Sequence, residues 1–270
     1  MNKFLNSTVD LLIKWTSFIL GWFNVCVTKI PKKYNGVPLD FKFIHSDFDS
    51  FQKKVLFDVE RFTMTSPERV VSLMESVSYI IKNQIEGDIV ECGVWRGGSM
   101  MAVINSLIKF DDIHRKLYLF DTFEGMPMPD IDLDFDLNAL NAHDYLNSNF
   151  KNENDYIWAY SAENKVREAI YQLNYPSENI IFVKGKVEDT LPYKKLQKIA
   201  ILRLDTDWYS STKHELEQLF PLLVSGGVLI IDDYGHWSGA RKAVDEYFSN
   251  NNINSFFHRI DYTGRILIKK

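Results

Sequence analysis

Acidic residues stand where strand-like runs end. Glu91 lies in Asp88-Ile89-Val90-Glu91-Cys92, Asp121 closes Lys116-Leu117-Tyr118-Leu119-Phe120-Asp121, and Glu188 follows Ile180 to Lys184. Asp205 and Asp207 end and follow the run from Ile199, and Asp232 and Asp233 end the run from Val228. In an open α/β sheet, ligands sit beyond the carboxyl ends of the strands, so this set would share one rim. Neighbouring strands lie roughly 5 Å apart, which would bring Asp205, Asp232 and Asp233 together. Clustered carboxylates repel unless they hold protons or a cation. Donors that are all oxygen suit Mg²⁺, so these three are the candidate metal ligands, and Asp207 is the candidate catalytic base. A set of helix caps and loop hydrogen bonds is the competing reading.

A glycine-rich turn follows the first of these strands. Its spacing is Gly93-x-x-x-Gly97-Gly98-Ser99. Such a turn lets backbone amides and a helix N-terminus approach a ligand. It is not Gly-x-Gly-x-x-Gly, and it lacks the Lys-Ser/Thr of a phosphate loop, which argues against NAD and ATP. A cofactor with ribose and adenine but no phosphate fits better, namely S-adenosylmethionine. Asp121 would accept its ribose hydroxyls, and Glu91 would face its cationic amino-acid end or sulfonium. Gly93, Gly97, Gly98, Ser99 and Glu188 complete the expected cofactor contacts. Trp95, Trp208, Tyr209, Tyr234 and Trp237 all fall just past strand ends, where rings could stack on sugar C–H faces or meet a sulfonium. His236 and His143 are alternative bases.

Strands and helices alternate around these residues. A helix is expected from Pro67, with Ser66 as N-cap and Glu68 in the first turn, because Val70, Leu73, Met74, Val77 and Ile80 recur at helical spacing. Further helices are expected from about Ser99, over Glu163 to Leu173, over Thr212 to Leu223 with a stop at Ser225-Gly226-Gly227, and over Gly239 to Asn250. Strands are expected at Ile89–Cys92, Lys116–Asp121, Ile180–Lys184, Ile199–Asp205 and Val228–Asp232. A closing hairpin pairs Ser255–Arg259 with Arg265–Lys269. Five strand–helix repeats give a parallel sheet, and the hairpin adds an antiparallel edge.

The chain has 270 residues, 46% of them hydrophobic, with a formal net charge of −5. No Lys/Arg block stands out, so nucleic acid is not an expected partner. Cys26 and Cys92 leave nothing for a thiolate zinc site and point to a reducing cytoplasm. Residues 34–60 read as an aromatic-rich linker. A helix is expected over Ser7 to Phe23, burying Leu12, Trp15, Phe18, Ile19 and Trp22 against the core or another subunit; attachment to a membrane surface is the alternative. Lys14 and Asn24 count against a true span, and no signal-peptide pattern is clear. Aromatics in the first 60 residues suggest a homo-oligomer.

Four blocks carry a family resemblance: Asp-Ile-Val-Glu-Cys-Gly-Val-Trp-Arg-Gly-Gly, Phe-Asp-Thr-Phe-Glu-Gly-Met-Pro, Leu-Arg-Leu-Asp-Thr-Asp-Trp-Tyr-Ser-Ser-Thr and Gly-Gly-Val-Leu-Ile-Ile-Asp-Asp-Tyr-Gly. From about Arg61 onward the chain resembles the macrocin O-methyltransferase family. The resemblance implies a class I methyltransferase-like Rossmann sandwich with a mostly parallel seven-stranded sheet, S-adenosylmethionine as donor, and a divalent metal, usually Mg²⁺. It implies a sugar hydroxyl of a glycoside, glycan or natural product as acceptor. On matching positions it makes Asp205, Asp232 and Asp233 metal ligands and Asp207 the base, with Glu91 and Asp121 on the donor. Residues 1–60 are then an N-terminal helical extension and linker, and 61–270 the methyltransferase domain. An acidic, Asn-rich lid insertion occupies about 122–160. Methylation of a catechol or vicinal diol, and a non-catalytic binding module in a glycan-synthesis complex, are the alternatives.

Overall fold

The structure is a computed structural model that describes residues 46–148 and 158–270. The expected N-terminal helix over Ser7 to Phe23, with its membrane or subunit contact, lies outside the described residues, as do residues 149–157 of the insertion. Among the described residues, no helix is long and apolar enough to cross a membrane.

The expected parallel core forms around β1 (Asp88–Cys92), β2 (Leu117–Asp121), β3 (Ile180–Lys184), β4 (Ile199–Leu204) and β5 (Leu223–Ile231). The hairpin strands β6 (His258–Arg259) and β7 (Arg265–Ile268) complete a seven-stranded sheet in the order β3-β2-β1-β4-β5-β7-β6. β5 pairs antiparallel with β7, which pairs antiparallel with β6. The strand order reverses between β1 and β4, and a cleft opens there at the carboxyl ends. Both strands are buried throughout except at Asp88, as central parallel strands are. Glu91 and Arg203 are therefore charged residues inside an otherwise apolar layer, and they stand directly opposite each other in the β1–β4 register.

Helices cover the sheet. The helix α1 (Ser50–Val59) starts at Asp49, whose side chain accepts from the Gln52 amide while the Gln52 side chain accepts from the Asp49 amide. That capping box and the burial of Val55, Leu56 and Val59 correct the expectation of a linker for this stretch; its apolar positions are spaced for one helix face. α2 (Pro67–Lys82) begins on Ser66 as expected and buries Val70, Leu73, Met74, Val77 and Ile80. α3 (Gly98–Lys109) follows the glycine turn.

Beyond β2 come α4 (Ala142–Asn147), α5 (Glu163–Tyr171), α6 (Val187–Thr190), α7 (Tyr209–Leu219) and α8 (Ser238–Asn250). α7 starts earlier and stops earlier than expected, because Pro221 falls in a 3₁₀ turn, Phe220–Leu222, where it ends the regular helix. Ser225-Gly226-Gly227 therefore belongs to β5 and does not stop a helix. The hairpin strands are also shorter than expected.

The insertion after β2 is tied down by an acid that sequence composition marked only as part of an acidic tract. Asp134 is fully buried. One of its oxygens accepts from the Tyr209 amide at the start of α7 (2.9 Å) and the other from the Asp130 amide (2.7 Å). Gly239 leaves the room: a Cβ there would lie 1.7 Å from an Asp134 oxygen. Asp134 thus caps α7 from outside the helix, whose own N-cap position, Trp208, offers no side-chain acceptor. Replacing Asp134 with Ala is expected to lower unfolding free energy by about 1–2 kcal/mol, as loss of a helix cap does; a denaturant midpoint equal to that of the wild type would contradict this anchoring.

Candidate active site

Two adjoining cavities open at the carboxyl end of the sheet and share Met64, Trp95, Met126, Ala159, Asp205 and Asp207 as a common wall. The first cavity runs along the ends of β1, β2 and β3. Gly93, Asp121, Gly185, Glu188 and Ser211 line it. The second lies beyond β4 and β5, and its lining includes Gly98, Ser99, Asp232, Asp233, His236, Trp237 and Tyr262. Two chambers meeting at two carboxylates suit a reaction between two bound molecules.

The first cavity is built by tight backbone packing. Gly93 (φ +85) lies so close to β4's continuation that a Cβ would come 1.9 Å from the Asp205 carbonyl oxygen. Gly97 caps α3 in a left-handed conformation. Asp121 receives the Val94 and Trp95 amides (2.7 and 2.9 Å) on one oxygen and the Phe123 amide (2.6 Å) on the other. It therefore organises the glycine turn while facing the cavity. Of the expected cofactor contacts, Gly93, Asp121 and Glu188 line the first cavity, Gly98 and Ser99 line the second, and Gly97 and Glu91 line neither.

Glu91 is instead part of a buried ion network. The Arg203 guanidinium donates to Glu91 (2.7 Å), Asp205 (2.7 Å), Asp232 (2.7 Å) and the Thr65 hydroxyl (2.9 Å). Arg69, from the first turn of α2, donates to the other Asp232 oxygen and to Asp261 (2.9 Å). Burial raises the Asp232 pKa, but Arg203 and Arg69 outweigh it and hold this carboxyl below its ordinary value. Burial pushes Glu91 up to about 7 against the pull of Arg203, and its Oε2 has no partner. Neither arginine figured in the sequence reading. An arginine inside the apolar run Ile199 to Leu204, and another on the apolar face of a helix, were the available signals, since a buried guanidinium requires acidic partners.

Asp205, Asp207 and Asp233 each place a carboxylate oxygen within 4.8 Å of the others. Asp232, expected among the ligands, turns both oxygens to arginines; Asp207, expected as the base, stands among the clustered oxygens. Burial pushes Asp205 and Asp233 well above the carboxylate range, with Asp207's charge adding to the effect at Asp233. Burial likewise pushes Asp207 up to about 7. Asp233 Oδ2 is buried without a partner. An oxygen-only cluster that is short of protons or positive charge fits a divalent cation.

The aromatic residues divide. Trp95, Trp208 and Trp237 line the second cavity, with Trp208 and Trp237 edge to face at 4.9 Å. Tyr209 and Tyr234 do not line it; their hydroxyls donate to Glu246 (2.6 Å) and Asp245 (2.7 Å). His236 lines the second cavity, and its Nδ1 has no partner. His143 lines neither cavity.

The sequence pattern of Macrocin-O-methyltransferase matches residues 44–269. A tetracenomycin-C 4'-O-methyltransferase of Streptomyces olivaceus, whose full name specifies a dimethoxy-rhamnosyl substrate, is 34% identical over 75% of this chain and 73% of its own. The demethyldecarbamoylnovobiocin O-methyltransferase of Streptomyces niveus is 32% identical over 75% of this chain and 73% of its own. Among solved structures, the O-methyltransferase NovP superposes with a TM-score of 0.67 at 30% identity, covering 77% of this chain and 82% of that one. With the pattern spanning nearly all the described residues and the sheet order and cleft in agreement, the chain belongs to the macrocin O-methyltransferase family and is an O-methyltransferase.

Proposed function

We propose that this enzyme moves a methyl group from S-adenosylmethionine to a sugar hydroxyl of a glycoside or glycan, assisted by a divalent cation such as Mg²⁺. The observation that carries the reading is the pair of chambers meeting at Asp205 and Asp207. The first chamber, with its glycine turn, Asp121 and Glu188, would take the donor. The second, with tryptophan rings beside carboxylates, suits a molecule that has both apolar C–H faces and hydroxyls. The Streptomyces olivaceus relative, whose name specifies a rhamnosyl substrate, supports that acceptor class. The insertion reaches the second chamber through Met126, Tyr145 and Leu146 and would serve as its lid.

Asp205 and Asp233 would hold the cation, with Asp207 close enough to join them. When bound, a divalent cation lowers the pKa of a coordinated hydroxyl. Asp207 would take the proton of the reacting hydroxyl, its pKa of about 7 matching that task at neutral pH better than an ordinary aspartate's. Arg203 and Arg69 fix Asp232 and, through it and Asp205, the angle of the rim. Orientation of donor and acceptor in adjoining chambers supplies the other large contribution, up to ~7–11 kcal/mol in well-aligned systems.

The direct test is a panel of glycosides and catechols assayed with methyl-labelled donor, with Mg²⁺ and with EDTA. Label is expected on a sugar oxygen and only with the cation. Transfer to catechols alone would overturn the acceptor class, and full activity in EDTA would overturn the cation.

Side-chain variants separate the roles. Asp207→Asn is expected to lower kcat by about 10²-fold or more, in the range of a lost general base, with Mg²⁺ dependence retained. Asp233→Asn is expected to weaken Mg²⁺ affinity. Equal metal responses in the two variants would merge Asp207 into the ligand set.

The raised pKa of Asp207 has a stability consequence. Its folded pKa lies above its unfolded value of roughly 3.9, so the native state binds the extra proton between about pH 4 and pH 7. Stability from this group therefore falls as pH rises through that window, and a cation that binds the ionised cluster compensates. At about 100-fold excess over Kd a ligand adds about 2.7 kcal/mol, several degrees in Tm for a chain of this size. Mg²⁺ should raise Tm at pH 8 and do so much less at pH 5.5; an equal increment at both would contradict the assignment.

A further inference from the structure

Glu215 is a carboxyl that the proposed reaction leaves unused. It sits in α7 with no solvent exposure, beside the core residues Leu216 and Leu219. No salt bridge reaches it among the described residues, and its Oε2 has no hydrogen-bond partner. Burying a carboxyl in an apolar layer is costly, so a leucine would be the expected occupant of a position that only packs. The Thr206 hydroxyl donates to Glu215, 2.9 Å from Oε1, and the buried Cys92 thiol also lies against this carboxyl.

Thr206 is the residue between Asp205 and Asp207. The backbone around it is held at two points, where the Asp205 amide donates to the Cys92 carbonyl (2.9 Å) and the Trp208 amide donates to the Thr206 carbonyl (2.8 Å), and Arg203 holds the Asp205 carboxylate (2.7 Å). Asp207 takes a positive φ of 69°, a conformation that costs a non-glycine residue free energy and persists only where surroundings enforce it. Two side chains of α7 tie the middle of this turn to a regular helix: Glu215 accepts from the Thr206 hydroxyl (2.9 Å), and the Ser211 hydroxyl donates to the Thr206 carbonyl (3.3 Å).

We propose that Glu215 is a positioning residue that holds the Thr206 hydroxyl and so sets how Asp205 and Asp207 enter the cleft. The proposal rests on the reading that these two aspartates face the reaction. It assigns Glu215 no contact with donor, acceptor or cation. A neutral amide can accept the same hydrogen bond, so Glu215→Gln should preserve function, whereas Glu215→Leu, which suits the apolar surroundings, should not.

The test compares Glu215→Gln, Glu215→Leu, Thr206→Val and the Glu215→Leu/Thr206→Val double variant in the full-length protein. Three quantities are read: kcat with a labelled methyl donor, S-adenosylmethionine Kd by calorimetry, and Mn²⁺ Kd by electron paramagnetic resonance without substrates. Glu215→Leu and Thr206→Val are each expected to lower kcat by about tenfold or more, as misplacement of catalytic groups does, and to weaken Mn²⁺ binding, with the donor Kd near wild type in Glu215→Leu, since Thr206 but not Glu215 lines the first chamber. Glu215→Gln should restore both. The double variant should be no worse than either single variant, the signature of two residues acting as one unit.

Wild-type kcat and Mn²⁺ binding in Glu215→Leu would overturn the proposal, as would losses that multiply in the double variant. If Glu215→Leu does not fold, Thr206→Val and Glu215→Gln carry the same comparison. If the wild type itself binds no Mn²⁺, the cation in the proposed function fails, while the kcat pattern still decides the role of Glu215.

Discussion

Carboxylates outnumber guanidiniums in the centre of this protein, and that imbalance governs the site. Arg203 and Arg69 meet Glu91, Asp205, Asp232 and Asp261, while Asp207 and Asp233 stand next to them without an arginine of their own. An arginine fork binds carboxylates in fixed directions, so the network first decides which acids are neutralised. Asp232 gains two guanidiniums and stays ionised. Asp205, Asp207 and Asp233 are left with a deficit that burial makes severe. Protons or a cation must cover it, and that requirement is what turns the rim of a sheet into a site with chemistry.

The fold delivers the imbalance through strand register. Glu91 on β1 lies opposite Arg203 on β4, so the buried pair forms wherever those two strands align correctly. The same alignment brings Gly93 against the Asp205 carbonyl and places both chambers at the point where strand order reverses. A buried pair of this kind is weak evidence for stability, because desolvation offsets much of the attraction. Its effect here is orientation: the arginine that satisfies Glu91 beneath the rim also pulls on Asp205 and Asp232 at the rim.

Much of this was legible in the residues. The alternation of apolar runs with helical periodicity gave all seven strands and the main helices that follow them, and the glycine turn and strand-end acids marked the correct end of the sheet. What escaped was long-range or directional. Arg69 and Asp232 are 163 positions apart, and nothing local pairs them. Asp232 and Asp233 are adjacent at a strand end, where successive side chains point to opposite sides; their adjacency in sequence hid that one faces the arginines and the other the cluster. Residues 50–59 looked like linker because aromatics dominate the surrounding stretch, yet Val55, Leu56 and Val59 form a buried helix face. Asp134 was visible only as one acid in a tract, since its role depends on the Tyr209 amide, 75 residues away.

The central claim is that the arginines reserve Asp232 and leave Asp205 and Asp233 to hold a cation beside Asp207. Anomalous diffraction from crystals of the enzyme soaked in Mn²⁺ reads this without reference to activity. The account predicts one strong peak on the Asp205 and Asp233 oxygens next to Asp207, with Asp232 still on Arg69 and Arg203. A peak coordinated by Asp232 with the arginines displaced, or no peak at saturating Mn²⁺, would contradict it.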